Sequence, residues 1–416
     1  MDKDFVSSRA PLLNRTTAVA NDSSIKDPSE SARRTFRILM YCTYFPPEYS
    51  GAALQAISLA KALRKLGHHI EFITERWHDE PALEVHEGFT VHRISGGRRV
   101  RHSEFLLWFQ LARFCWKRRQ DFDIIHSHGA YYRQAIIGPI ARILSMRSLV
   151  KASLANNDLK RSDSAAVTVL HRWLLRRVDA YVAISRQLAL EFEKFGLSAR
   201  KIYDFPNGVD TNRFRPVTET QRQMLRRRLG LPEQRSVILF VGVFDHRKKV
   251  DWLARTWVES QGSGCNALLV AIGPTSRDQS DIAIKSSLTA LATMAPDWLR
   301  ILDIQSNIEE YYQAADALVL PSIDEGMPNC VLEAMSCDIP CVLADSDWSL
   351  GFGEENNGLA RFVSFDKESL VRMIKCTVAK DKYRFANTNR NQVINQFSID
   401  IVAAKYHLLY KKILGF

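Results

Sequence analysis

The chain has 416 residues, 46% of them hydrophobic and 25% charged, with a formal net charge of +11. This is the composition of a soluble globular protein, long enough for two domains that each bury a core. Seven cysteines, an odd number without a C-x2-C pair, argue against a disulfide framework or zinc ribbon and for a reducing compartment. No run of 18 apolar residues is present, which excludes a membrane-spanning helix.

Residues 1–35 are polar, rich in Ser, Asp and Arg, and lack the apolar stretch of a secretory signal; a disordered tail is expected there. The charge beyond it is uneven. Residues 36–215 carry 28 Lys/Arg against 17 Asp/Glu, whereas residues 216–416 carry 23 against 24. A basic face on the first half follows, of the kind that meets nucleic acid or an anionic membrane.

Phe36 to Cys42 reads as a first strand, followed by the loop Thr43–Ser50 and a helical pattern from Ala52 to Leu66 that stops at Gly67. His69–Ile73 is a second strand. Strands are expected again at Asp123–His126, Ser148–Lys151, Ala180–Ile184 and Ile202–Phe205, most of them separated by helical patterns. Turn chemistry at Pro206-Asn-Gly-Val-Asp210 closes this half. A second alternation includes strands at Ser236–Val241, Ala267–Ile272, Arg300–Leu302, Ala317–Leu320 and Cys341–Leu343, and three helical patterns follow, the last over Ile399–Ile413. Alternation of this kind predicts two α/β domains with doubly wound parallel sheets, whose ligands lie at the carboxyl ends of the strands.

The segment Pro321-Ser-Ile-Asp-Glu325-Gly-Met-Pro-Asn-Cys-Val-Leu-Glu333-Ala-Met is the most informative. Pro321 ends an apolar strand, Gly326 and Pro328 break the backbone, Asn329 is a suitable N-cap, and Val331, Leu332 and Met335 give a helical apolar face. Glu325 is placed on the loop and Glu333 on the helix. Helix N-terminal amides favour diphosphates and carboxylates bind sugar hydroxyls, so the arrangement suits a nucleotide sugar.

This string resembles the E-x7-E signature of retaining glycosyltransferase family 4, whose fold is GT-B: two Rossmann-like domains facing a cleft. The resemblance runs from Arg37 to Tyr410 through Tyr44-Phe-Pro-Pro with Gly51, Asp123-Ile-Ile-His-Ser-His128, Ala183-Ile-Ser185, Pro206-Asn-Gly-Val-Asp210, Phe240-Val-Gly242 and Arg247-Lys248. It implies an acceptor-binding domain over 36–215, a nucleotide-sugar domain over 216–395, and a C-terminal helix over 396–416 that crosses back onto the first domain.

The resemblance also implies a metal-independent transfer without a cofactor beyond the donor substrate. Gly51 and Lys248 match the family's diphosphate-binding glycine and lysine. The family's Gly-Arg pair is Gly242-Val243 here, and valine carries no charge; Arg247 or Lys249 is left to supply the second cation. Glu325, with the amides of Gly326, Met327 and Asn329, is implied to bind the donor sugar, and Glu333 the ribose. His128 matches the second histidine of the family's H-x-H strand end, near the reacting centre; His126 reads as a packed strand residue. No dedicated base is implied, because the departing phosphate takes the acceptor proton.

Asp345-Ser-Asp347 is a D-x-D triplet in a late loop and reads as a polar turn, not as a metal site. Residues 98–119, aromatic and basic with seven Lys/Arg against one Glu, read as an amphipathic helix. Such a helix suits either an anionic bilayer surface or a domain core. The expected partners are a nucleotide sugar, a lipid-linked or oligosaccharide acceptor and a peripheral anionic membrane, with no nucleic acid, in the cytoplasm or on the inner membrane face. Two other readings fit the fold: a GT-B sugar-nucleotide 2-epimerase, whose family lacks the EGMPN…LEAM block, and a non-catalytic scaffold.

Overall fold

A computed structural model describes residues 34–95, 103–154, 158–159, 164–260, 266–275, 279–353, 358–379 and 388–416. Residues 1–33 of the expected tail, and residues 98–102 of the basic segment, lie outside this set.

Among the described residues, eight strands form the first sheet: β1 (Arg37–Cys42), β2 (His69–Arg76), β3 (Leu83–His86), β4 (Phe89–Ser95), β5 (Ile124–His128), β6 (Arg147–Ala152), β7 (Ala180–Ala183) and β8 (Ile202–Asp204). Their order is β3-β4-β2-β1-β5-β6-β7-β8, parallel throughout except for the β3–β4 pair. That hairpin was not expected from the sequence. Its Glu87-Gly88 turn has both φ angles positive, 49° and 79°, as a two-residue hairpin turn requires.

The strands alternate across the sheet as a buried parallel sheet must. Leu39 and Tyr41 face one apolar cluster, while Ile38, Met40 and Cys42 face another, shared with helix Gly51–Lys65 and helix Ile399–Leu414. The C-terminal helix buries Ile399, Val402, Ala403, Tyr406, Leu409 and Tyr410, a 3–4 residue spacing that makes a single stripe against that face.

The second sheet has the order β11-β10-β9-β12-β13-β14 and is wholly parallel. Its strands are β9 (Ser236–Val241), β10 (Ala267–Ile272), β11 (Leu299–Leu302), β12 (Ala317–Leu320), β13 (Cys341–Ala344) and β14 (Leu359–Phe362). The chain passes between the sheets near Val209 and returns near Ser398. The two passages are joined: Val209 N–H donates to the Phe397 carbonyl and Ile399 N–H to the Val209 carbonyl, each at 2.9 Å. Gly208 permits this approach, since a Cβ there would lie 2.9 Å from the Ile399 Cα.

Helix Ser103–Lys117 is seated through a narrow stripe of Leu107, Leu111 and Cys115. Phe105 (69% exposed), Phe109 (65%) and Trp116 (57%) point away from the core. One edge of the helix is therefore core, as one of the two sequence readings has it, and the rest is an open aromatic face. Among the described residues, no helix is long and apolar enough to cross a membrane.

Candidate active site

The carboxyl ends of β1, β5 and β6 and of β9 and β10 line a cleft of about 1360 Å³ between the two sheets. Ligand sites in open parallel sheets occur at such edges.

On the second-sheet side, the loop after β12 carries Glu325 into the cleft. Ser322 fixes that loop: its hydroxyl donates to the Arg247 carbonyl at 3.2 Å, and Trp348 Nε1 donates to the Ser322 carbonyl at 3.1 Å. Glu325 Oε1 accepts from Lys248 Nζ at 2.5 Å and from Arg247 Nη1 at 2.8 Å. Burial pushes the Glu325 carboxyl up, but Lys248 and Arg247 outweigh it and hold the group below the usual carboxylate range. Lys248 N–H in turn donates to Asp245 Oδ1 at 2.7 Å, which fixes the turn after β9.

These contacts decide which cation accompanies Lys248. Arg247 does; Lys249 takes a left-handed φ of 54° ahead of helix Val250–Glu259, and its Nζ lies 5.5 Å from the Phe365 ring centre. Val243 lines the cleft and leaves it uncharged at that point. Gly242 ends the β9 approach, where a Cβ would come within 3.6 Å of the Lys248 side chain.

The helix after the loop runs from Asn329 to Ser336. Pro328, not Asn329, is its cap residue, and no side chain caps it. Asn329 is instead occupied elsewhere: its Oδ1 accepts from Asn207 Nδ2 at 3.0 Å, and Asn207 Nδ2 also reaches the Met327 carbonyl at 3.0 Å. The loop is thereby tied to the passage between the sheets. Met327 and Asn329 line the cleft, whereas Gly326 packs against the first sheet, where a Cβ would lie 2.6 Å from the Ser153 carbonyl oxygen. Glu333 lines the cleft and accepts from the Tyr312 hydroxyl at 2.7 Å; burial raises its carboxyl above the ordinary value.

On the first-sheet side, Gly51 opens helix Gly51–Lys65, and Ser50 caps it by accepting from Ala53 N–H at 3.3 Å. A Cβ on Gly51 would lie 3.8 Å from Asn329 Nδ2, so the two helix starts approach each other. His128 lines the cleft, stacked on His126 with ring centroids 4.2 Å apart. His126 Nδ1 meets the Tyr410 hydroxyl at 2.9 Å. Burial keeps both imidazoles neutral.

The structure therefore brings Gly51, His128, Gly242, Arg247, Lys248, Glu325, Met327, Asn329 and Glu333 to one cleft. Sequence reasoning missed Asn207, Tyr312 and Lys151. The signal for Lys151 was present: a lysine near the carboxyl end of an otherwise apolar strand. Asp345 and Asp347 are exposed after β13, and among the described residues no three His, Cys, Asp or Glu side chains are grouped to hold a metal ion.

Comparison with known proteins identifies the family and the fold. A family model described as Glycosyltransferase Family 4 matches residues 49–213, and one described as Glycosyl transferases group 1 matches residues 235–378. Mannosylfructose-phosphate synthase of Agrobacterium fabrum is 26% identical over 365 residues, 79% of this chain and 77% of that protein. Sucrose-phosphate synthase from Thermosynechococcus elongatus superposes with a TM-score of 0.74 at 19% identity, over 91% of this chain and 99% of that one. Anabaena HepE, solved with UDP and glucose, gives 0.72 at 15% identity, over 91% and 100%. With matches on both of its facing parallel sheets, the chain belongs to glycosyltransferase family 4 and has the GT-B fold.

Proposed function

We propose that the protein moves a sugar from a nucleotide-diphosphate sugar to a hydroxyl of a glycolipid or polysaccharide acceptor, with retention and without a catalytic metal. The observation that carries this reading is the Lys248–Glu325–Arg247 cluster, two cations held in the cleft by one buried carboxylate. A diphosphate entering the cleft draws both cations onto its oxygens, and Glu325 is freed to accept from hydroxyls of the donor sugar. Fixed charges of this kind stabilise a diphosphate that gains negative charge as it departs. Glu333 is suited to the ribose hydroxyls, and His128 and Gly51 approach from the opposite wall.

In the transfer itself, the bond from the anomeric carbon to the diphosphate oxygen breaks. The acceptor oxygen bonds to the same face of that carbon, and its proton passes to the departing phosphate oxygen. Positioning and charge stabilisation then suffice without a dedicated nucleophile. Val243 raised the non-catalytic reading; Arg247 beside Glu325 restores the second cation and favours turnover.

The exposed aromatic face of helix Ser103–Lys117 supports peripheral attachment to the inner surface of a membrane, close to a lipid-linked acceptor. Trp108 on that helix donates to the carbonyl of Arg133, which lines the cleft, so the helix lies beside the cleft wall. The test is a thermal-shift panel of nucleoside diphosphates and sugar nucleotides with and without EDTA. One nucleoside diphosphate should raise the melting temperature by mass action, equally in both conditions. No shift from any of them overturns the donor reading.

A further inference from the structure

Three strand ends lie side by side on the first-sheet wall of the cleft. In the parallel register His128 pairs with Lys151, and Tyr41 with Ser127, which sets Cys42 beside His128 one position on. Strand alternation turns Cys42, His128 and Lys151 to the same face, and all three line the cleft.

Lys151 is 4% exposed, yet among the described residues no hydrogen bond or ion pair reaches its ammonium. Burial lowers it to about 8, and the Cys42 thiol is the other group acting on it. That thiol is itself pushed up to about 12 by burial and stays neutral, so it is no counter-ion. His128 is equally buried, and among the described residues neither of its ring nitrogens has a hydrogen-bond partner. An ammonium taken out of water without a counter-ion is strongly disfavoured, and buried donors are normally satisfied. Lys248, on the opposite wall, shows the usual solution, a carboxylate at 2.5 Å. Lys151 and His128 thus keep their donors unused in the wall of the cleft.

We propose that Lys151 and His128, with Cys42 as a neutral neighbour, form an anion subsite on the first-sheet wall that takes a carboxylate or phosphate carried by a sugar substrate. The subsite rests on the transferase reading above and is separate from the Lys248–Arg247 cations. The ammonium and an imidazole N–H donate to the anion's oxygens, and the anion in turn restores the protonated state of Lys151. The anion belongs either to the donor, as a uronic-acid carboxylate, or to the acceptor, as a phosphate.

Calorimetry separates the two sources. UDP-glucuronate is compared with UDP-glucose on the full chain, and glycerol 3-phosphate with glycerol on the UDP-saturated chain, in wild type and Lys151→Met. One anionic probe should bind at least about tenfold more tightly than its uncharged counterpart. It should also take up protons near pH 8.5, read from buffers of different ionisation enthalpy, and the preference should vanish in Lys151→Met. UDP binding by the variant reports an intact fold. If the variant does not fold, amine acylation of wild-type Lys151, read by peptide mass spectrometry, carries the test: the anionic probe must protect it and the uncharged one must not. Equal affinity of wild type and variant for both anionic probes, or no preference for either anion, overturns the subsite. Where the thermal-shift panel selects another nucleoside, its diphosphate, glucuronate and glucose replace the uridine probes, and failure of every nucleoside diphosphate to bind overturns instead the donor reading beneath it.

Discussion

The Tyr410 hydroxyl and His126 Nδ1 meet at 2.9 Å, although 284 positions separate them in the chain. Through this contact the C-terminal helix holds the imidazole on which His128 is stacked. Among the described residues His126 Nε2 has no hydrogen-bond partner, so the tyrosine is what satisfies this buried ring. Tyr410→Phe is expected to destabilise the protein by about 1–3 kcal/mol, the range for leaving one buried polar group unpaired. Urea unfolding checks it; an unchanged midpoint and slope would mean that the contact contributes nothing.

Glu325→Gln and Lys248→Ala should each lower kcat/KM for sugar transfer by at least about tenfold, or ~1.4 kcal/mol of transition-state stabilisation. Both residues are buried, at 5% and 8% exposure, so both variants should also melt earlier than wild type. Turnover of Glu325→Gln near the wild-type rate at saturating donor would remove Glu325 from the reaction.

Glu75 gives a pH-dependent prediction. Burial raises its carboxyl from an ordinary 4.5 to about 7; Arg133 and the Tyr41 hydroxyl pull the other way, and Glu104 adds slightly to the rise. The folded state therefore holds a proton that the unfolded chain has lost between pH 4.5 and 7, and this site's contribution falls as pH rises through that window. Glu75→Gln mimics the protonated form and removes that dependence. The melting temperature of the variant minus that of wild type should climb from pH 4.5 to 7 and level off above. Taking the difference cancels the buried histidines, which titrate identically in both proteins. A flat difference would place the Glu75 pKa near its ordinary value.

The aromatic face of the helix beside the cleft predicts binding to anionic vesicles that weakens between low and physiological salt, since the accompanying basic charge is screened. Replacing Phe105, Phe109 and Trp116 with serine should abolish co-sedimentation without lowering the melting temperature, because all three are exposed. Wild-type protein that stays in the supernatant with anionic and neutral vesicles alike would leave this face without a membrane role.

The sequence carried the site's residue types more clearly than their contacts. Strand ends, the Glu325 loop and the C-terminal helix were legible because apolar runs, Pro/Gly breaks and helical spacing are local signals. The hairpin Leu83–Ser95 was missed, since its turn is Glu-Gly and its first strand leaves Leu83 and Val85 exposed at 60% and 74%, without a buried face to set a pattern. Asn329 looked like a cap because its side chain suits one; Asn207, 122 positions away, competes for it. The choice of Arg247 over Lys249 rests on a left-handed residue and an ion pair, neither of which spacing reveals.

The shared core of helix Ile399–Leu414 and helix Gly51–Lys65 has a consequence for how the protein is made. The first half leaves the ribosome with this face of its sheet covered by helix Gly51–Lys65 alone, and the second helix of the cluster is translated nearly two hundred residues later. At usual elongation rates that interval is on the order of ten to forty seconds. During it, the cluster of Ile38, Met40 and Leu59 lacks Ile399, Val402 and Tyr406, and its incomplete face is open to aggregation until that helix emerges. Completion of the first domain is thus a late event in synthesis, timed by the second.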